Sequence, residues 1–225
     1  VGVLGKVDVA TGNVTIVGNS GVVLTDIGFD TAGNLFGVSF NRFYSVDKTS
    51  GLATSIGLLG NNDMNALVFS STGTAYAMGN SSDVVYTVDV GTGAATNSGN
   101  AGGFASGGDL AFHGGNLYLA STSNDLVDVA LGTAVGPFGV SSVFGLANGD
   151  DNVLYAVAGT KVYSVDVVTG AATYILDYSG KGLGNANGQA FYAEAGAVVP
   201  EPGAYLMLAI GMAASWPVIR RSRAA

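Results

Sequence analysis

The chain has 225 residues, 48% of them apolar, and carries a formal charge of −8 with eight Lys/Arg against sixteen Asp/Glu. That is enough apolar material for a large core and argues against a disordered chain, while the acidic balance disfavours nucleic acid as a partner. The absence of cysteine excludes disulfides, thiolate metal sites and cysteine catalysis, and 36 Gly with only four Pro describe short strands joined by tight turns.

In chain order, the first element is "GKVDVATGNVTIVG" from Gly5, two strands around a turn. The same unit returns as "YSVDKTSGLATSIG" from Tyr44, "YTVDVGTGAATNSG" from Tyr86, "DLVDVALGTAVGPF" from Asp125 and "YSVDVVTGAATYIL" from Tyr163. Their aspartates, Asp8, Asp47, Asp89, Asp128 and Asp166, recur about every 40 residues, the period of a four-stranded propeller blade. Four positions after each Asp stands a glycine: Gly12, Gly51, Gly93, Gly132 and Gly170. The Asp carboxylate suits the backbone N–H groups of a turn, and the Gly suits a positive φ that closes the hairpin. Alternation such as Tyr163 and Val165 on one face with Ser164 on the other marks half-buried strands.

Between these hairpins lies a second unit: "DIGFDTAGNLFGVS", "ALVFSSTGTAYAMG", "DLAFHGGNLYLAS" and "GLANGDDNVLYAVA". Phe29, Phe69 and Phe112 mark its first strand, with Asn148 breaking the series; Phe36, Tyr76, Tyr118 and Tyr155 mark its second. One repeat thus supplies four strands. The chain starts with the last two strands of a repeat and returns to the first at "GQAFYAEAG", an offset that lets both ends share a closing blade. The fold expected is all-β, a propeller of about five four-stranded blades over residues 1–196, with an N-terminally truncated larger ring as the open alternative. The second strand of the closing blade has no evident sequence. These units resemble the propeller repeats of NHL-type and related secreted bacterial families, a resemblance that argues fold rather than function.

The end of the chain reads differently. Residues 197–202 form a linker containing "PEP", residues 203–219 are free of charge, and 220–225 are basic. An uncharged run of about seventeen residues spans roughly 25 Å as a helix, against ~30 Å of hydrocarbon in a bilayer. This predicts a membrane helix with its arginines on the cytoplasmic side and the propeller outside; composition alone also permits a plain single-pass anchor or, less well, a hydrophobic C-terminal core helix. "VPEP", a short apolar span and "RRSR" together resemble the PEP-CTERM sorting signal of Gram-negative bacteria. The resemblance implies recognition of Pro200, Glu201 and Pro202 and a basic stop at Arg220, Arg221 and Arg223. It further implies export, transient residence in the inner membrane through this helix, processing by an exosortase, and a final place at the cell surface or outside the cell, with an association to exopolysaccharide and biofilm. No N-terminal leader is read in the sequence, so export implies one that was removed or lies upstream of Val1.

Candidate chemistry is sparse. His113 is the lone histidine and reads as a turn or strand-end residue, so Ser–His–Asp and metal hydrolysis lack parts; "GGFASGG" has no Lys-Ser/Thr after it to hold a phosphate. The five Asp-to-Gly turns lie one per blade, too dispersed to gather the about 6–8 oxygens of a calcium ion. No metal and no cofactor is expected. Asp26, Asp63, Asp109 and Gln189 stand at the start of the innermost strands, where a propeller's strands converge on the mouth of its channel, and form the candidate ligand site. The loops "SFNRF", "GNSSD" and "STSND" are placed on the same face. The function expected is a non-catalytic binding or structural module acting on extracellular polysaccharide; the alternative is a carbohydrate-active propeller enzyme, a hydrolase or lyase, working through two of these carboxylates.

Overall fold

A computed structural model describes residues 2–192, 194–195 and 205–211. The chain opens with β1 (Gly2–Asp8) and β2 (Val14–Asn19) and then lays down four complete blades. Blade I is β3 (Asp26–Phe29), β4 (Leu35–Ser39), β5 (Arg42–Val46) and β6 (Ala53–Leu58). Blade II is β7 (Met64–Phe69), β8 (Ala75–Gly79), β9 (Val84–Val88) and β10 (Ala95–Asn100). Blade III is β11 (Ser106–His113), β12 (Asn116–Ser121), β13 (Asp125–Asp128) and β14 (Thr133–Pro137); blade IV is β15 (Val143–Asn148), β16 (Leu154–Ala158), β17 (Lys161–Val165) and β18 (Ala172–Asp177). The closing blade runs β19 (Ala186–Phe191), β20 (Tyr205–Gly211), β1, β2, so both ends of the described chain meet in one sheet. The ring therefore has five four-stranded blades, as the repeat period requires.

The hairpin motif folds as its chemistry dictates. Gly12, Gly51, Gly93, Gly132 and Gly170 all have positive φ, between 64° and 79°. In each turn the Asp carboxylate accepts backbone N–H bonds, as Asp47 Oδ1 does from Thr49 at 2.7 Å and Ser50 at 3.1 Å. The hydroxyls of Thr11 and Thr49, followed by the backbone bonds, hold Asp8 and Asp47 below the usual carboxylate range, and the Val168 N–H does so first for Asp166.

The hairpins also lock neighbouring blades. A Cβ on Gly170 would lie 2.3 Å from the carbonyl oxygen of Gly136 in blade III, so only glycine lets the two backbones approach this closely. The same contact recurs between β2 and blade I (Gly18 with Ser50), and between blades I and II (Gly57 with Thr92). At the seam between blade IV and the closing blade, Leu176 lies over Gly12, and Lys181 Nζ donates to the Gly12 carbonyl at 2.7 Å.

Core side chains lie between blades rather than along an axis. One cluster joins blade IV to the closing blade (Tyr155, Val157, Tyr178, Phe191, Leu208) and another joins the closing blade to blade I (Leu4, Ile27, Phe29, Ala190, Met207). Three more bind blades I to II, II to III and III to IV.

The largest departure from expectation is β20. Residues 205–211 were expected within a membrane helix over 203–219, and they form a strand antiparallel to both β19 and β1. The boundary expected at 196 moves accordingly, because the ring takes a strand from beyond it. Periodicity misled here for a physical reason: a strand buried on both faces is apolar throughout and cannot be told from a buried helix by pattern. Met207, Leu208 and Ala209 are all buried, and the leucine and methionine contribute about 1.5–3 kcal/mol each to closure. The rest of 203–219, and with it Pro200, Glu201, Pro202, Arg220, Arg221 and Arg223, lies outside the described residues. Among the described residues no helix is long and apolar enough to cross a membrane.

Candidate functional site: the channel mouth

The five innermost strands, β3, β7, β11, β15 and β19, bring equivalent residues to successive levels of the ring. Thr25, Asn65, Gly108, Phe144 and Asn187 occupy the level of the mouth. Asp26, Ala66, Asp109, Gly145 and Gly188 follow directly below. Register shifts at Met64/Ala66, Ser106/Asp109, Val143/Gly145 and Ala186/Gly188 bulge four of these strands where they begin and bend the chain toward the channel.

The lower level is sealed. Asp26 and Asp109 are both fully buried. Asp26 accepts from the N–H of Ile27 at 2.8 Å and from Leu67 of blade II at 2.6 Å. Asp109 does the same with Leu110 and with Leu146 of blade IV, both at 2.6 Å. Each carboxylate thus ties its own inner strand to the next blade's, satisfying N–H groups that face the channel and have no ladder partner. The small residues at the other three positions make room, since a Cβ on Gly188 would collide with Asp26. Burial pushes both carboxyls well above the ordinary range, and for Asp109 the neighbouring Asp26 charge pushes further. Both carboxyls therefore favour the protonated form more than an exposed carboxyl does.

Below them, Glu194 enters from the opposite end of the channel and accepts from Asn148 N at 3.4 Å. Burial, and then the charge of Asp109, raise its carboxyl as well. Ala195 beside it is buried against blades I and II. His113 ends β11, its Nδ1 2.7 Å from Asn148 Oδ1. Among the described residues no three His, Asp or Glu side chains are placed to hold a metal ion.

The open end is a cavity of about 320 Å³. Its floor and wall come from Thr25, Asn65, Ser106 and Asn187, and its rim from the half-exposed rings of Phe40 and Phe144 with Asn80 and Thr122. The "SFNRF", "GNSSD" and "STSND" loops thus supply Phe40, Asn80 and Thr122. Bonds between blades hold the floor: Thr25 Oγ1 donates to Met64 O at 3.0 Å, Asn65 Nδ2 to Ser106 O at 3.2 Å, and Asn187 Nδ2 to Leu24 O at 3.2 Å. Asn65 Oδ1 is buried and has no protein partner.

Of the four candidates from sequence, the structure brings Asp26, Asp109 and Gln189 together at the channel but beneath its floor. Gln189 Nε2 donates to Tyr155 O at 2.7 Å across the seam to blade IV, and its Oε1 is buried without a partner. Asp63 is elsewhere in role: its Oδ2 accepts from Ser81, fixing the β8–β9 loop. Asn80 and Phe40 come from loops the sequence placed on this face, whereas Asn65, Phe144 and Asn187 were not singled out from sequence. The available signal was positional, since Asn65, Phe144 and Asn187 each stand one residue before the Asp26-equivalent site.

Similar architecture occurs in solved structures. A gluconolactonase from Xanthomonas campestris matches over 87% of this chain and 75% of its own, with a TM-score of 0.54 and 12% identity. A protein of unknown function from Bacteroides thetaiotaomicron matches over 88% of this chain, which spans 62% of that one, with a TM-score of 0.54 and 14% identity. Virginiamycin B lyase from Staphylococcus aureus follows at a TM-score of 0.47 and 10% identity, too low to carry an argument. At these identities the likeness is one of fold. No family model and no curated protein matches the sequence. Fold and site define a five-bladed β-propeller with one open, neutral channel mouth.

Proposed function

We propose that the protein is an exported β-propeller of the cell surface or extracellular matrix that holds polysaccharide at its channel mouth without transforming it. The observation that carries this reading is the chemistry of the cavity. Phe40 and Phe144 offer faces for the C–H surface of a sugar ring, and Asn65, Asn80 and Asn187 offer amides that both donate and accept, as hydroxyl groups demand. Among the described residues the lining contains no acid and no base. That composition fits a neutral glycan and gives general acid–base catalysis nothing to use. A hydrolase built on Asp26 and Asp109 would need both carboxylates to flank a substrate, whereas both are fully buried under the floor and bonded to backbone N–H groups.

The tail supports the location. Its PEP-CTERM resemblance argues for export, an exosortase as processing partner, and passage through the inner membrane. The test is retention of the protein on neutral matrix polysaccharide in affinity electrophoresis. Phe144→Ala and Asn187→Ala should each weaken retention about tenfold, the effect of losing one stacking or hydrogen-bonding group of about 1.4 kcal/mol. Unchanged retention in both variants, or sugar products released by the parent protein, would sink the reading.

A further inference from the structure

The ring's closure rests on a strand that stands apart from the other nineteen. Elsewhere each blade joins consecutive strands through turns, whereas β20 pairs with β1 across the length of the chain and reaches β19 only through residues 192–204. Its departure from the sheet therefore breaks no hairpin.

Its slot is shaped for it. In blades I, II and IV the second strand places a small residue opposite a tyrosine of the third: Gly37 faces Tyr44, Ala77 faces Tyr86, and Ala156 faces Tyr163. The closing blade reverses the sizes, so that Gly5 of β1 faces Leu208 of β20, and Leu208 is fully buried. The freed space over Gly5 is filled by Leu183, which would clash with any Cβ there. An occupant with a small residue at this position would leave a cavity. The seven residues of β20 are also part of the uncharged run at 203–219 that precedes Arg220, Arg221 and Arg223. A bilayer accepts that run only with its backbone bonds satisfied within the segment, as a helix. A strand whose bonds go outward to β1 and β19 cannot meet that condition.

We propose that the gap between β1 and β19 is a strand-acceptor site whose resident occupant, Tyr205–Gly211, is detachable. The ring is closed while the tail is in water and open while the tail is in a bilayer. Membrane residence thus exposes the edges of β1 and β19 and the apolar faces around Leu4, Val7 and Phe191, and leaving the membrane seals them. The open state rests on the membrane-directed reading of the tail; the acceptor site rests on the structure.

The experiment uses the full chain produced in a host without an exosortase. The sequence has no cysteine, so Leu4→Cys with Ala209→Cys gives a single possible intramolecular disulfide. The two residues are register partners in the same core cluster, and the roughly 4.5–5.5 Å between antiparallel Cα partners suits a disulfide. Val3→Cys with Ile210→Cys, also register partners, serves as a second pair. The disulfide should form within one chain in water, and vesicles of phosphatidylethanolamine and phosphatidylglycerol should bind the oxidised protein at least about tenfold more weakly than the reduced protein, because the competent open state has been removed. Failure of both pairs to form the intramolecular bond overturns the acceptor site. Equal vesicle binding by oxidised and reduced protein overturns the exclusivity of the two states. If the parent chain binds no vesicles, the membrane reading fails and the open state with it, while disulfide formation still reports on the slot.

Discussion

Gly170→Ala, compared with Gly180→Ala, measures how much the rim contacts between blades stabilise the ring. Both glycines sit at nearly the same backbone angle, φ of 79° and 75°. They differ in surroundings: nothing lies within 4 Å of a Cβ on Gly180, whereas a Cβ on Gly170 meets the Gly136 carbonyl oxygen at 2.3 Å and its carbon at 2.6 Å. The left-handed backbone costs an alanine about 1–2 kcal/mol, partly offset by about 0.4–1 kcal/mol from a less flexible unfolded chain, a net of roughly 0.5–1.5 kcal/mol at either site. At Gly170 the collision is with backbone, which cannot rotate away, and forcing the blades apart adds about 1–3 kcal/mol. For a chain of this size each kcal/mol moves the melting temperature by about 2–4 °C. Thermal and urea unfolding of the two purified variants, followed by circular dichroism, should therefore place Gly170→Ala several degrees below Gly180→Ala. Equal losses would show that the glycine serves only its own turn and that the contact between blades III and IV carries no energy.

Asp109→Leu removes the acceptor for two buried N–H groups, those of Leu110 and Leu146. It should destabilise by more than about 2 kcal/mol, with Asp109→Asn closer to the parent because one oxygen remains; equal stability of the leucine variant would remove the carboxylate from its role. The pH profile follows from the signs of the shifts. Asp26, Asp109 and Glu194 have raised folded-state pKa values, so their contribution is full below the ordinary carboxylate range and is lost as pH rises toward their folded values. Asp8, Asp47, Asp166 and Asp177 are lowered, so theirs is present above that range and lost as pH falls through it. Urea midpoints should thus be higher in mildly acidic solution than at neutral pH and collapse in strong acid; a midpoint rising steadily toward alkaline pH would contradict the buried carboxyl pair.

The hairpins were legible because their cause is local. An aspartate accepting N–H bonds two and three residues ahead and a glycine at positive φ are decided within five positions, so Asp166 and Gly170 could be read straight from the chain. The role of Asp26 and Asp109 was half legible. Their place at the start of inner strands follows from the repeat, but their direction does not: sequence left them facing a ligand, whereas the small residues Ala66, Gly145 and Gly188 leave room for them under the floor, where they bond neighbouring N–H groups. Asn65 and Asn187 escaped notice, unlike the loop that carries Asn80, because Asn is ordinary turn chemistry until several of them converge from separate blades.

By itself, the sequence determined the repeat, its four strands, the five turns and the offset that makes the two ends share a blade, since each is set by period and by contacts between near neighbours. Tertiary structure alone decided what the apolar tail does in water. Seven residues whose composition suits a bilayer helix become a strand because β1 and β19 present two unpaired edges, with glycine at position 5 where blades I, II and IV carry tyrosine, and no local pattern in the tail encodes a vacancy formed by the opposite end of the chain.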